Sequence, residues 1–200
     1  MFDGITYVGP PVDDQALLDE LPRQLADILR QTNGLVACGG AFHIRGVCTD
    51  PAWHSLRAAW RGPRAFVTAY RSAQPTDIPF AQDALGDQYL LREGGVWRLS
   101  TESDEVEICA ESLTEFLEEV SADPIRYLML GHLVAFWNDG GALAPGQLLS
   151  VYPPLVTEHN GGYSYRAISA ADRLGALVRF ASQVRDLPDG TTVSITTTTD

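Results

Sequence analysis

Apolar positions repeat with two different periods along this chain, and the places where the period changes mark out its elements. Asp13 and Asp14 precede Leu17, Leu18 and Leu21. Acids there favour the positive end of a helix that buries those leucines. Pro22 falls in the first turn of a second helix, where its missing N–H is no loss. Leu25, Ile28 and Leu29 supply that helix's spacing, and Asn33-Gly34 ends it, since both residues tolerate a left-handed backbone. Residues 41–47 alternate as a strand. Asp50-Pro51 predicts a further helix start, with Trp53, Leu56 and Trp60 on one face and residues 61–64 ending it.

From residue 65 to 110 the period shortens to two. Strands are predicted over 66–70, 78–81, 88–91, 96–99 and 106–109, with Glu93-Gly94-Gly95 as a turn. Connections this short allow only an antiparallel meander, because parallel strands need long crossovers. Helical spacing then returns. Ser112 and Glu115 form a capping box ahead of Leu113, Phe116, Leu117 and Val120. Asp123-Pro124 starts another helix, with Ile125, Leu128, Met129, His132 and Phe136 on one stripe and residues 138–141 stopping it. Short strands are expected over 148–152 and 163–168, then a helix capped by Ser169 with Leu174, Leu177, Val178 and Ala181 buried. A last β segment over 192–195 precedes a frayed threonine-rich end.

The fold class is therefore α+β, an antiparallel β-meander sheet flanked by N-terminal and C-terminal helices. The organisation is an irregular lead-in over 1–12, a core domain over 13–122 and a helical and β extension over 123–200, packed on the same domain. A chain of 200 residues buries about 70% of its unfolded surface, so the core needs no staples.

Charge narrows the range of functions. Fourteen basic residues face 26 acidic ones, a formal charge of -12, and every basic residue is Arg. Without Lys there is no Walker A phosphate loop, no pyridoxal Schiff base and no protein-kinase strand Lys. An acidic surface disfavours nucleic acid; it can steer a basic protein, or simply keep the chain soluble. Three cysteines do not make a disulfide framework. No basic and apolar leader is visible at the start, and the stretch 127–137 is too short to span a bilayer, so the expected location is cytoplasmic with no membrane partner.

Candidate chemistry is sparse. Cys38, His43 and Cys48 have zinc-ligand types, but their spacing sends His43 and Cys48 to opposite faces of a strand. Either thiol beside His43 could act as a nucleophile. Asp83 and Asp87, on either side of Gly86, could act as acid and base, although Asp at such a place more often caps a turn. His132 fits a packed core position, and His54 and His159 stand alone. No metal or cofactor site is expected. One feature rises above this background. Between Arg98 and Arg126 there is no basic residue, while Glu102, Asp104, Glu105, Glu107, Glu111, Glu115, Glu118, Glu119 and Asp123 are all present. Of these, Glu102, Asp104, Glu105 and Glu107 are the candidate partner-binding face. Upstream, Arg57, Arg61, Arg64 and Arg71 cluster without acids and could pair with the acidic stretch or form a second polar face.

Several of these residues carry a resemblance. Leu21-Pro22 followed by Leu25, Leu29 and Asn33-Gly34 resembles the opening of the SUKH superfamily, the Smi/Knr-type proteins. Ile78-Pro79-Phe80-Ala81-Gln82-Asp83 through Gly86-Asp87 resembles its central signature. Gly95-Val96-Trp97 and the 112–120 helix follow in family order, and the likeness covers about residues 13–122. The proline and glycine pairs between 144 and 163 resemble segments attached to bacterial members. The resemblance implies a helix-flanked antiparallel sheet without catalysis. It implies a toxin-neutralising immunity protein, acting on a nuclease or deaminase by direct binding, or a regulatory scaffold of cell-wall or signalling type. A small hydrolase using Asp83 and Asp87 is the enzymatic alternative. Asn33, Gly34, Asp83 and Gly86 match fold-forming positions.

Overall fold

The computed structural model describes residues 2–63, 65–188 and 190–194. Seven strands form one sheet: β1 (Tyr7–Val8), β2 (Leu35–Ala37), β3 (Phe42–Ile44), β4 (Ile78–Asp83), β5 (Gln88–Arg92), β6 (Gly95–Ser100) and β7 (Glu105–Ala110). Their order in space is their order in sequence, and every pairing is antiparallel. A separate hairpin pairs β8 (Gln147–Tyr152) with β9 (Ser164–Ser169). The helices are α1 (Gln15–Glu20), α2 (Arg23–Gln31), α3 (Leu56–Arg61), α4 (Phe66–Ala69), α5 (Leu113–Ala122), α6 (Pro124–Tyr127), α7 (Gly131–Asn138) and α8 (Ala170–Val184). The expected α+β meander is what the chain builds.

Both faces of the sheet are covered, which is why all of β4 is buried. The main core gathers Leu17, Leu25, Phe42, Phe80, Tyr89 and Phe116. Phe116 of α5 stands at its centre, with ring centroids 4.8 Å from Tyr89 and 5.8 Å from Phe80. Successive strand residues face opposite ways, so Leu90, next to Tyr89, enters a second cluster with Phe66, Tyr70, Leu99 and Ala181.

Residues beyond 123 pack on this sheet. Leu149 N donates to the Ala84 carbonyl at 2.7 Å. Gly86 has φ +103°, and a Cβ there would lie 2.9 Å from Leu177 Cδ1 of α8. Gly34 is equally constrained, with φ +75° and the Ile44 carbonyl oxygen 2.5 Å from where a Cβ would stand.

Several local expectations are corrected. Of the strand expected over 66–70, Phe66–Ala69 form helix α4, with Tyr70 as its C-cap. Phe66 and Tyr70 are buried and Thr68 is exposed, which is helical spacing, and their rings stack 6.2 Å apart. The helix expected from Asp50-Pro51 starts at Leu56, where the Ser55 hydroxyl accepts from Ala58 N at 3.2 Å. Trp53 and His54 precede it and pack on Tyr7 and His43. The helix expected from 124 is two, broken around Met129 (φ +56°), because Leu128 and Leu130 both turn inward while Met129 is 63% exposed. Within the lead-in, Tyr7–Val8 pair with β2. Residues 192–194 are irregular, and the rest of the expected terminal strand and frayed end lies outside the described residues.

Candidate functional site

The predicted acidic face divides in two. Glu102 is buried. Its Oε2 accepts from Leu155 N at 2.7 Å and Val156 N at 3.3 Å, and its Oε1 accepts from Arg173 Nη2 at 3.2 Å. Asp104 accepts from Arg71 N, from the amide and hydroxyl of Ser72, and from Arg185 Nη1. Burial opposes its charge, but these hydrogen bonds hold its carboxyl below the usual range. Glu105 and Glu107 are exposed on β7, followed by exposed Glu111, Glu115, Glu118 and Glu119. Arg98 Nη2 pairs with Glu107. The side chains of the upstream arginines reach other acids: Arg57 pairs with Asp14, Arg61 with Glu20 and Arg71 with Asp186. Arg64 lies outside the described residues.

Asp83 caps its own turn. Its Oδ1 accepts from the amides of Leu85, Gly86 and Asp87 at 2.9, 3.0 and 3.1 Å. Asp87 Oδ1 accepts from Thr101 N at 2.9 Å and Thr101 Oγ1 at 3.0 Å. Burial, and then the charge of Asp87, push the Asp83 carboxyl well above its usual value. Burial also raises Asp87, against the pull of Thr101 and Arg98.

A directed chain of hydrogen bonds crosses the core beside this turn. Arg45 is fully buried, and among the described residues no carboxylate pairs with it. It donates to the Pro79 carbonyl at 2.7 Å and to the Oε1 atoms of Gln82 and Gln88, each at 2.6 Å. Burial pulls its pKa down to about 9. Because the Gln82 oxygen faces Arg45, its nitrogen faces His43 Nδ1, 3.2 Å away. His43 Nδ1 must then accept, so Nε2 carries the hydrogen and donates to His54 Nδ1 at 2.8 Å. His54 Nε2 donates in turn to the Asn33 carbonyl at 2.9 Å. The Asn33 side chain ties the same region together, donating to the Pro10 carbonyl at 2.8 Å and accepting from Val47 N at 2.7 Å. Burial, then Arg45 and His54, hold His43 well below the usual imidazole range, and burial lowers His54 as well. A cleft of about 10 Å³, roughly one water position, lies among His43, Trp53, Gln82, Asp83 and Gln147.

His54, which stands alone in the sequence, is thus the partner of His43. His159 meets the Tyr163 ring at 4.5 Å, and His132 lies 3.2 Å from the Tyr165 hydroxyl. The geometry does not bring Cys38, His43 and Cys48 together. Among the described residues no group of three or more His, Cys, Asp or Glu side chains could hold a metal ion. Burial raises the Cys38 thiol and, with Asp13 and Asp50, pushes Cys48 to about 11. Both shifts disfavour the thiolate that a nucleophile requires. Among the described residues no helix is long and apolar enough to cross a membrane.

Fold and polar interior together define a class: an antiparallel-meander α+β domain whose signature polar residues close turns and join strands. The SMI1 / KNR4 family (SUKH-1) matches residues 15–119, from the first residue of α1 into α5, and the chain belongs to this family. No curated protein matches the chain.

Proposed function

We propose that this protein is a non-catalytic, cytoplasmic immunity-type protein that neutralises a bacterial toxin, of nuclease or deaminase kind, by binding it directly. The observation that carries this reading is the exposed run of carboxylates at Glu105, Glu107, Glu111, Glu115, Glu118 and Glu119, in which Arg98 reaches Glu107 and no basic residue occurs between Arg98 and Arg126. Such a field draws in a basic protein, and nucleic-acid-processing toxins present basic clefts to their substrates. Membership in the SMI1 / KNR4 family supports a protein partner. The groups most suited to catalysis, Asp83, Asp87, His43 and His54, are engaged in turns and strand ties. Coexpression with the product of the neighbouring gene tests the reading. Rescue of growth and a stable, salt-sensitive complex are expected. Full toxicity with no complex overturns it, and capture of housekeeping enzymes instead points to a regulatory scaffold.

A further inference from the structure

We infer that the open edge of the seven-stranded sheet, residues 105–108 of β7, takes a basic extended segment of the partner protein as an eighth strand. This rests on the protein-binding reading above and gives it a place and a partner chemistry.

A sheet has two end strands, and here they differ. β1 has two residues, too short to template another strand, whereas β7 has six and, among the described residues, pairs on one side only, with β6. Unpaired edges invite strand addition, and proteins usually blunt them with proline, bulges or cover. β7 contains no proline. The bulge of this pair falls at Cys109, near the C-terminal end of β7, where Val96 and Trp97 meet Ala110 and Ile108, and the Tyr127 hydroxyl donates to the Cys109 carbonyl there at 2.8 Å. Among the described residues no strand pairs with the outer edge of 105–108, and Glu105, Glu107 and Ile108 are exposed.

Charge selects the occupant. Two copies of β7 paired antiparallel about Val106 or Glu107 set glutamate against glutamate, which is destabilising. A strand alternating Arg or Lys with apolar residues meets Glu105, and Glu107 beside its cross-strand partner Arg98, on one face. On the other face it meets Ile108, 47% exposed, whose cross-strand neighbour is Trp97. Backbone hydrogen bonds supply affinity and the alternation supplies specificity.

The test uses the full chain and a short acetylated peptide alternating arginine and valine, read by amide hydrogen exchange and titration. Slower exchange confined to β7 is expected. Weaker binding by Glu105→Arg/Glu107→Arg, by about tenfold or more, is also expected, with the thermal melt confirming that the variant is folded. Protection elsewhere, equal binding of a peptide whose arginines form one block, or unchanged affinity of the folded variant overturns the inference. The product of the neighbouring gene, assayed for toxicity and for complex formation, forms a second arm. A complex that leaves 105–108 unprotected ends this inference and keeps the immunity reading. Strand addition by the peptide without any toxin complex does the reverse.

Discussion

His43 and His54 lie side by side in the core, centroids 5.1 Å apart and ring planes within 22°, with His43 Nε2 2.8 Å from His54 Nδ1. A nitrogen–nitrogen contact of this length holds one hydrogen. A second proton sets two N–H groups against each other beside the buried Arg45 guanidinium, so the pair is neutral in the native state.

Acid should therefore loosen the fold well above the carboxylate range. Both imidazoles titrate below their ordinary value of 6.5 when folded. Once the pH falls below about 6.5 the unfolded chain binds protons that the native chain refuses. Stability is full above that value and declines as pH falls toward the folded pKa, by up to about 1.4 kcal/mol per pH unit for each ring. Denaturant midpoints between pH 8 and 5 will show the slope, and His54→Gln will flatten it. Asp83 and Asp87, raised by burial, contribute the opposite slope, so the comparison decides: a pH dependence identical in the parent and His54→Gln across that window would sink the idea.

Gln82→Glu reverses one link of the chain. A carboxylate beside Arg45 cannot donate to His43 Nδ1, so His43 must carry its hydrogen there. His54 then donates from Nδ1, and its Nε2 faces the Asn33 carbonyl, two acceptors in contact unless His54 is protonated. Nitrogen NMR should find an exchanged His43 tautomer and a raised His54 pKa, with a stability loss of about 1–3 kcal/mol at pH 8.

Asp83 separates charge from hydrogen bonding. Its raised folded pKa means that its charge opposes folding at neutral pH. That penalty is absent below the ordinary value of 3.8 and develops as pH rises through the folded pKa. Asp83→Asn keeps an oxygen for the three turn amides and removes the charge. It should be as stable as the parent or more so at pH 7, with the gain shrinking toward pH 4. Asp83→Ala leaves the three amides without their acceptor and should lose about 3 kcal/mol or more. Urea titration of the two variants checks both. Toxin protection retained by Asp83→Asn would also argue against a hydrolase built on this residue.

Glu102 works inside the fold. Glu102→Ala releases the Leu155 and Val156 amides and leaves buried Arg173 without its carboxylate, a loss of about 3–5 kcal/mol. Hydrogen exchange should accelerate at 155–156 and at the start of α8. Partner affinity of the molecules still folded should not change.

Much of the architecture is legible in the sequence because its period changes are clean. Ser112 with Glu115, the glycine turn at 93–95 and Ser169 each mark a boundary where the structure has one. The failures share a cause. Phe66 and Tyr70 are four residues apart, a spacing that strand and helix both satisfy, so only the exposure of Thr68 tells them apart. Glu102 and Asp104 look solvated because their arginine partners lie about 70 to 80 residues downstream. A signal for Glu102 did exist. Arg173 sits on the same stripe as Leu177 and Ala181, and a charge on a buried face needs an acid to meet it. His54 was readable only once the fold had set β3 against the 50–55 turn.

The family match stops at residue 119, yet its Gly86 turn is roofed by Leu174 and Leu177 of α8, far outside it. A change of volume at Leu177 is felt as a void or a clash at that turn. Shared domain and appended segment are therefore not free to diversify separately: any lineage that remodels α8 must keep a side chain of the right reach over a glycine it did not alter.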